Sequence, residues 1–379
     1  MKKITFFSIL LLLCIQSCKK ESQRVSLENI PIIIDMDSVK KTSSLSISYV
    51  KYIPLETSDE CLIGFDYKTL IKNNKIFVAD FHTAMSLFVF DINGKFLFKI
   101  AKRGQGPGEY ISFFDFDIQE NGDIYIFDQH SKKILIFNSA GEHLRDINMV
   151  FILHGGFCLV SDKLYCSSPV TGSGKRYANL AVLDTMNNKT DFLLKDDIFL
   201  QNSGIIGHNS FDFYYSPDSI IYYSPKFSDI IYSIDKDGFH PAIYVKNLNI
   251  PSMKTIEEWM QKKNIRERNN YIYETDYFIE NAYIYETDKY ITFGCMRNKK
   301  EGFVLYNKHL KYASFTRIGI FFRSLGIDRV KGCTGKDFFG VIDFNSDNET
   351  HQRLLKSQEE LASWKEDDNP VIVIFNFDM

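Results

Sequence analysis

The chain has 379 residues, 45% hydrophobic and 25% charged, with a formal net charge of −3. The near balance of charge excludes an electrostatic drive toward nucleic acid or anionic membrane surfaces, while the apolar content is ample for a large core. Aromatic residues make up 15%, with 33 Phe and 21 Tyr, a bias that suits half-buried pleated sheets.

The N-terminus reads as a targeting signal. Lys2 and Lys3 precede an apolar run from Ile4 to Ile15, too short to span a bilayer as a mature helix. The run ends in Ile15-Gln16-Ser17-Cys18, which resembles the lipobox of bacterial lipoproteins. The resemblance implies that Cys18 is acylated and becomes the first mature residue. Several acyl chains together anchor stably where one does not. The alternative is an ordinary secretory signal with an incidental Cys. On the first reading residues 1–18 are signal, 19–30 a flexible polar tether, and 31–379 one folded domain. The expected location is the cell envelope, lipid-anchored, with the surface and periplasmic faces both open.

Ser46 to Leu55 alternates polar and apolar residues and lies before the first full repeat. Residues 74–94 and 122–141 are two copies of one unit: strand, polar turn, strand, then a Gly turn. Ile76 matches Ile124, Asp80 matches Asp128 and His82 matches His130, each at an offset of 48. A repeat of this length built from short strands reads as propeller blades. Diverged copies follow with first strands near 164, 220, 290 and 338, which makes six units. The expected fold is all-β: a six-bladed β-propeller with two inserted helices. Open sheet edges are a liability, so the 46–55 strand is expected to close the ring beside strands near 338–344 and 371–377.

The first inserted helix is read from Ser252 toward Arg268, with Ser252 as N-cap and Ile256, Trp259 and Met260 in a stripe. The second covers Thr350 to Trp364 and interrupts the sixth unit. Within unit five, Tyr271–Asp276 recurs as Tyr283–Asp288, which fits two neighbouring strands. Their tyrosines suit either a binding surface or cross-strand packing, and packing is favoured.

Five cysteines follow Cys18, namely Cys61, Cys158, Cys166, Cys295 and Cys333, with no CxxC and no Cys/His cluster, so a zinc site is not expected. Cys158 and Cys166 flank the turn at Ser161–Lys163 and are read as facing each other across a hairpin. A disulfide there is open; directly opposed strand residues favour two small buried hydrophobes instead.

Between the first two units runs Arg103-Gly-Gln-Gly-Pro-Gly-Glu109-Tyr110. Its G-x-G-x-G spacing, internal Pro107 and following strand do not fit a phosphate-binding loop. Together with Tyr52-Ile-Pro-Leu-Glu-Thr57 and Asp368-Asn-Pro-Val-Ile-Val373, this run resembles the six-bladed β-propeller lipoproteins of Bacteroidetes-type bacteria, related in pattern to NHL-repeat propellers. The resemblance implies a propeller, export and lipid anchoring, but no single activity.

No HExxH, GxSxG or paired-His spacing appears, and no cofactor is expected. The candidate channel-mouth residues are Asp80, His82, Asp128 and His130, with Arg103 and Glu109 from the Gly loop. The repeated Asp-x-His either lines a mouth of the central channel or serves its own turn, and the second is favoured. The functional expectation is a binding or scaffold module for a protein, peptide or glycan. The alternative is an envelope hydrolase or lyase with an axial metal held by carboxylates and His from several blades; whether the chain is an enzyme is left open.

Overall fold

The computed structural model describes residues 27–42, 45–64, 67–153, 155–170, 178–187, 189–194, 212–216, 219–261, 267, 274–275, 277–278, 281–296, 301–317, 322–343 and 347–378. Six antiparallel sheets make the blades of a propeller. Blade 1 comprises Tyr67–Lys72, Lys75–Asp80, Ser86–Asp91 and Phe96–Ile100. Blade 2 comprises Asp115–Ile118, Ile124–Asp128, Lys133–Phe137 and His143–Asn148. Blade 3 is Phe157–Val160, Lys163–Ser167, Leu180–Asp184 and Thr190–Leu193. Blade 4 is Phe213–Tyr215, Ile221–Tyr223, Ile230–Asp235 and Gly238–Lys246, and blade 5 is Ala282–Glu286, Tyr290–Met296, Glu301–Asn307 and Tyr312–Arg317. The repeated units of the sequence are the second and third strands of successive blades. They are buried on both sides, Ile76 and Ile124 among them at 0% exposure, because each blade is sandwiched between neighbours.

Blade 6 contains Gly332–Cys333, Phe338–Ile342 and Val371–Asp378, and its fourth strand is Ser46–Pro54. The closing strand pairs antiparallel with Val371–Asp378, from Pro54↔Val371 to Ser46↔Asp378. Asn369 pins the junction. Its side-chain amide donates to the carbonyls of Glu56 (2.6 Å) and Cys61 (2.7 Å) and accepts from the amide of Ile63 (2.8 Å). The two terminal segments that carry the family resemblance therefore bond to each other.

The chain wraps further than the sequence suggests. Before closing blade 6, Ile32–Asp35 pairs parallel with Gly238–Lys246 on the outside of blade 4. Lys40–Lys41 then pairs parallel with Tyr312–Arg317, the outer strand of blade 5.

The helices α1 (Met253–Met260) and α2 (Glu349–Ser357) form where expected. The Ser252 hydroxyl accepts from the Thr255 amide, and Asn348 caps α2 through the amides of Thr350 and His351. The expected continuation of the first helix toward Arg268 lies mostly outside the described residues. The second stops at Ser357 because Gln358 turns extended; Leu361 and Trp364 still bury beyond it.

Two expectations are corrected. Cys158 pairs in register with Tyr165, and Cys166 with Phe157, so the two cysteines do not face each other. A one-residue offset in an antiparallel pair puts them on opposite faces, each fully buried in a different inter-blade core and both free. The duplicated Tyr-Ile-Tyr-Glu-Thr-Asp copies do not pair as expected where they are described: of the first copy only Glu274, which is helical, and Thr275, in a bend, lie among the described residues, while in the second Ala282–Glu286 is an innermost strand. Tyr283 sits at φ 54° in a register shift, its ring under the Arg329 guanidinium at 4.7 Å, and Tyr285 packs on Tyr214 at 5.7 Å. For Tyr283 and Tyr285 this is the packing reading; Tyr271 and Tyr273 lie outside the described residues.

Candidate functional site

In each four-stranded blade the turns after the first and third strands lie on one face of the ring. The turns after the second strand, and the connections to the next blade, lie on the other. All six candidate residues from the sequence fall on that second face, and each carboxylate serves its own loop. Asp80 is fully buried; its carboxylate accepts from the amides of Thr83 (2.8 Å), Ala84 (3.0 Å), His82 (3.1 Å) and Gly64 (2.8 Å). Asp128 repeats the device with Ile111 (2.8 Å), Ser112, His130 and Ser131. His82 and His130 are exposed at the loop tips, and so is Arg103. Glu109 accepts from the Gly106 amide at 2.9 Å.

The glycine loop is architectural as well. Gly108 stands at φ 74°, and a Cβ there would lie 2.7 Å from that of His143. Tyr110 is buried beneath it, its hydroxyl donating to the carbonyl of Met85 at 2.6 Å. Among the described residues no three His, Cys, Asp or Glu side chains stand close enough to hold a metal ion.

Asp128 makes a testable contribution. Burial opposes its charge, but the donors from Ile111, Ser131 and Ser112 hold its carboxyl below the usual value. A depressed folded value means that its contribution is complete above about pH 4 and is lost as pH falls through the folded value. Asp128→Asn should cost about 1–3 kcal/mol at pH 7, by leaving buried donors unmatched. The gap in urea midpoint between variant and wild type should narrow at pH 3; a gap of equal size at both pH values would contradict this.

The opposite face carries the larger feature. A cavity of about 850 Å³ opens among the ends of the first strands and the turns that follow them. Its walls include Lys72 of blade 1, Asp117 and Glu120 of blade 2, Asp162 of blade 3, Tyr215 of blade 4 and Cys333 of blade 6.

These positions follow from how the innermost strands solve their edge problem. An inner strand pairs on one side only, so half of its backbone groups face the channel and need partners. In blades 1 to 3 side chains supply them. Lys68, Lys72 and Asn73 of blade 1 donate to the carbonyls of Phe116 (2.9 Å), Ile118 (2.8 Å) and Glu120 (3.1 Å) of blade 2. Asp115 and Asp117, two apart on one strand and so on one side of it, accept from the amides of Phe157 (2.9 Å) and Leu159 (2.8 Å) of blade 3. Gln119 donates to the Leu159 carbonyl at 3.0 Å.

Lys68 also pairs with Asp115 at 2.8 Å, with both side chains buried, and its ammonium lies 5.4 Å from the Tyr215 ring. Burial pushes the carboxyls of Asp115 and Asp117 up, against the pull of Lys68 and Lys72 respectively. Cys333 donates to the Tyr215 carbonyl, and burial pushes its thiol up to about 12, so it stays protonated at neutral pH and is no nucleophile.

The sequence reading passed over Lys68, Asp115 and Asp117. The signal was present in Asp115-Phe-Asp117: two carboxylates on alternate strand positions just after the glycine loop.

A six-bladed ring with a polar-seamed channel defines the class of protein. The family profile described as "Domain of unknown function (DUF4934)" matches residues 27–376, and the chain belongs to that family. Among solved structures it is similar to a Bacteroides fragilis protein described as exported, with 20% identity and a TM-score of 0.74 over 92% of this chain and 100% of that one. It is also similar to a DUF4221-family member from Bacteroides vulgatus, with 12% identity and a TM-score of 0.52 over 88% of this chain and 98% of that one. These likenesses establish the fold. No curated protein matches the chain.

Proposed function

We propose that the chain is a lipid-anchored propeller of the bacterial cell envelope. On this reading it acts as a binding module for a protein, peptide or glycan, which it takes at the cavity on the first-turn face. The observation that carries the binding half is the cavity itself, of about 850 Å³, in the range of ligand sites and set in a rigid closed frame. The anchoring half is supported by Lys2, Lys3, the short apolar run and the Ser17-Cys18 pair. The kinship in pattern with NHL-repeat propellers is supported by the Gly104–Glu109 run.

One set of variants tests both halves. In a Gram-negative host the full chain should sediment with membranes and Cys18→Ala should be released into the soluble envelope fraction. The purified full chain, equilibrated with envelope extract, should retain a component detectable by mass spectrometry. Asp237→Trp, which sets an indole at the cavity mouth, should retain about tenfold less. Membrane association without Cys18 would overturn the anchor, and equal retention by Asp237→Trp would overturn the site.

A further inference from the structure

The cavity has a chemical bias. Asp117, Glu120, Asp162, Asp235 and Asp237 line it against Lys72 and Lys236. Lys72 donates to the Ile118 carbonyl, Asp117 accepts from the Ile118 and Leu159 amides, and Glu120 accepts from the Ser219 hydroxyl. The carboxylates of Asp162 and Asp237 accept no hydrogen bond among the described residues, and both are exposed at the mouth.

A second observation is independent of these acids. Tyr125 is 8% exposed and pairs in register with Asp117, so both side chains lie on one side of the sheet and reach the cavity. Its hydroxyl has no hydrogen-bond partner among the described residues. The ring is buried while the hydroxyl opens on the cavity, where it is free to hydrogen-bond a ligand group. Apolar side chains make up another part of the wall, with Leu70, Leu159, Val160, Ile220 and Ile221 set among polar residues such as Gln119, Asn121 and Ser216.

One layer farther along the channel, the fold already holds an alkylammonium with the same ingredients. The Lys68 ammonium sits against the Asp115 carboxylate (2.8 Å), the Phe116 carbonyl (2.9 Å) and the faces of Phe116 (5.1 Å) and Tyr215 (5.4 Å). In the cavity the negative charge is spread along the walls rather than gathered at one point, which suits an extended organic cation better than a bare ion.

We propose that this cavity takes an organic cation, an amine or guanidinium carried on an aliphatic or aromatic body, as in the side chains of a basic peptide. The proposal rests on the cavity being the binding site. The ammonium would meet Asp162, Asp237 and the Tyr125 hydroxyl, and its body the apolar wall.

The test titrates three N-acetylated tripeptide amides, Lys-Phe-Lys, Gln-Phe-Gln and Glu-Phe-Glu, into the full chain in non-ionic detergent, by calorimetry. The lysine peptide should bind about tenfold or more tighter than either other, as expected for a charge-assisted hydrogen bond. Its Kd should weaken about tenfold in Asp162→Asn/Asp237→Asn and severalfold in Tyr125→Phe, with melting temperatures unchanged in the surface double variant. Equal binding of the neutral or acidic peptide, unchanged Kd in both variants, or binding of none of the three would overturn the proposal. If extract retention were still lost in Asp237→Trp, the ligand class would fall and the site would stand; if retention were unaffected there, both would fall.

Discussion

A chain lacking residues 46–54 should show no cooperative thermal transition. The segment supplies the outer strand of blade 6, with eight registered pairs to Val371–Asp378, and its removal leaves that strand as a bare edge. It also takes away the buried side chains of Tyr52 and Ile53, and loosens Leu55 immediately after them. Each fully buried large side chain contributes about 1.5–3 kcal/mol. Together with the lost ladder, this approaches the whole net stability of about 5–15 kcal/mol typical of a folded protein. A ring has no free end at which to fray, so loss of closure should propagate to every blade. Near-ultraviolet circular dichroism should lose its aromatic signal throughout, and a synthetic peptide of residues 46–54 should restore it in part. A truncated chain melting at the wild-type temperature would refute closure. Asn369→Ala is the single-residue counterpart. It strips three hydrogen bonds, two of them buried, from the same junction and should cost about 2–4 kcal/mol in denaturant unfolding.

The second large effect belongs to the buried ion pair between blades 1 and 2. Lys68→Met should destabilise the fold by about 3–5 kcal/mol, because Asp115 would remain in the channel as an uncompensated charge. The loss is greater than for a surface pair because neither partner can recover water; Asp115 is fully buried. Asp115→Asn in the Lys68→Met background should recover a large part of it, since Asn can still accept from the Phe157 amide while carrying no charge. A double-mutant cycle read from denaturant midpoints measures the coupling. A Lys68→Met effect within about 0.5 kcal/mol would place the pair among surface-like contacts and contradict its structural role.

The two halves of the molecule differ in how much of them could be read from residues alone. Blade number, the closing strand and the Ser252 cap follow from local rules: a repeat offset of 48, alternation at 46–55, and a Ser ahead of an apolar stripe. Asp80 and Asp128 stand out through the same repeat, and the structure gives them the turn-holding role that the repeat favours. The inner seam was hidden because its signal is not local. Asp115-Phe-Asp117 alternates as a strand with one wet face would, and only the ring turns that face toward the amide edge of blade 3. The cavity was hidden for the same reason: Asp117, Asp162 and Tyr215 come from three blades and share no spacing. Cys158 and Cys166 show the opposite failure, where a plausible hairpin symmetry was wrong by one residue and so by a whole face.

Backbone amide exchange of the full chain, with and without equilibration in envelope extract, decides where on the ring function resides. New protection is expected at 117–125, 159–163, 219–221 and 235–238, around the first-turn mouth, with the opposite face unchanged. Protection confined to 80–85, 103–110 and 128–132 would instead place the ligand at the loops of Asp80 and Asp128 and refute the cavity as the binding site.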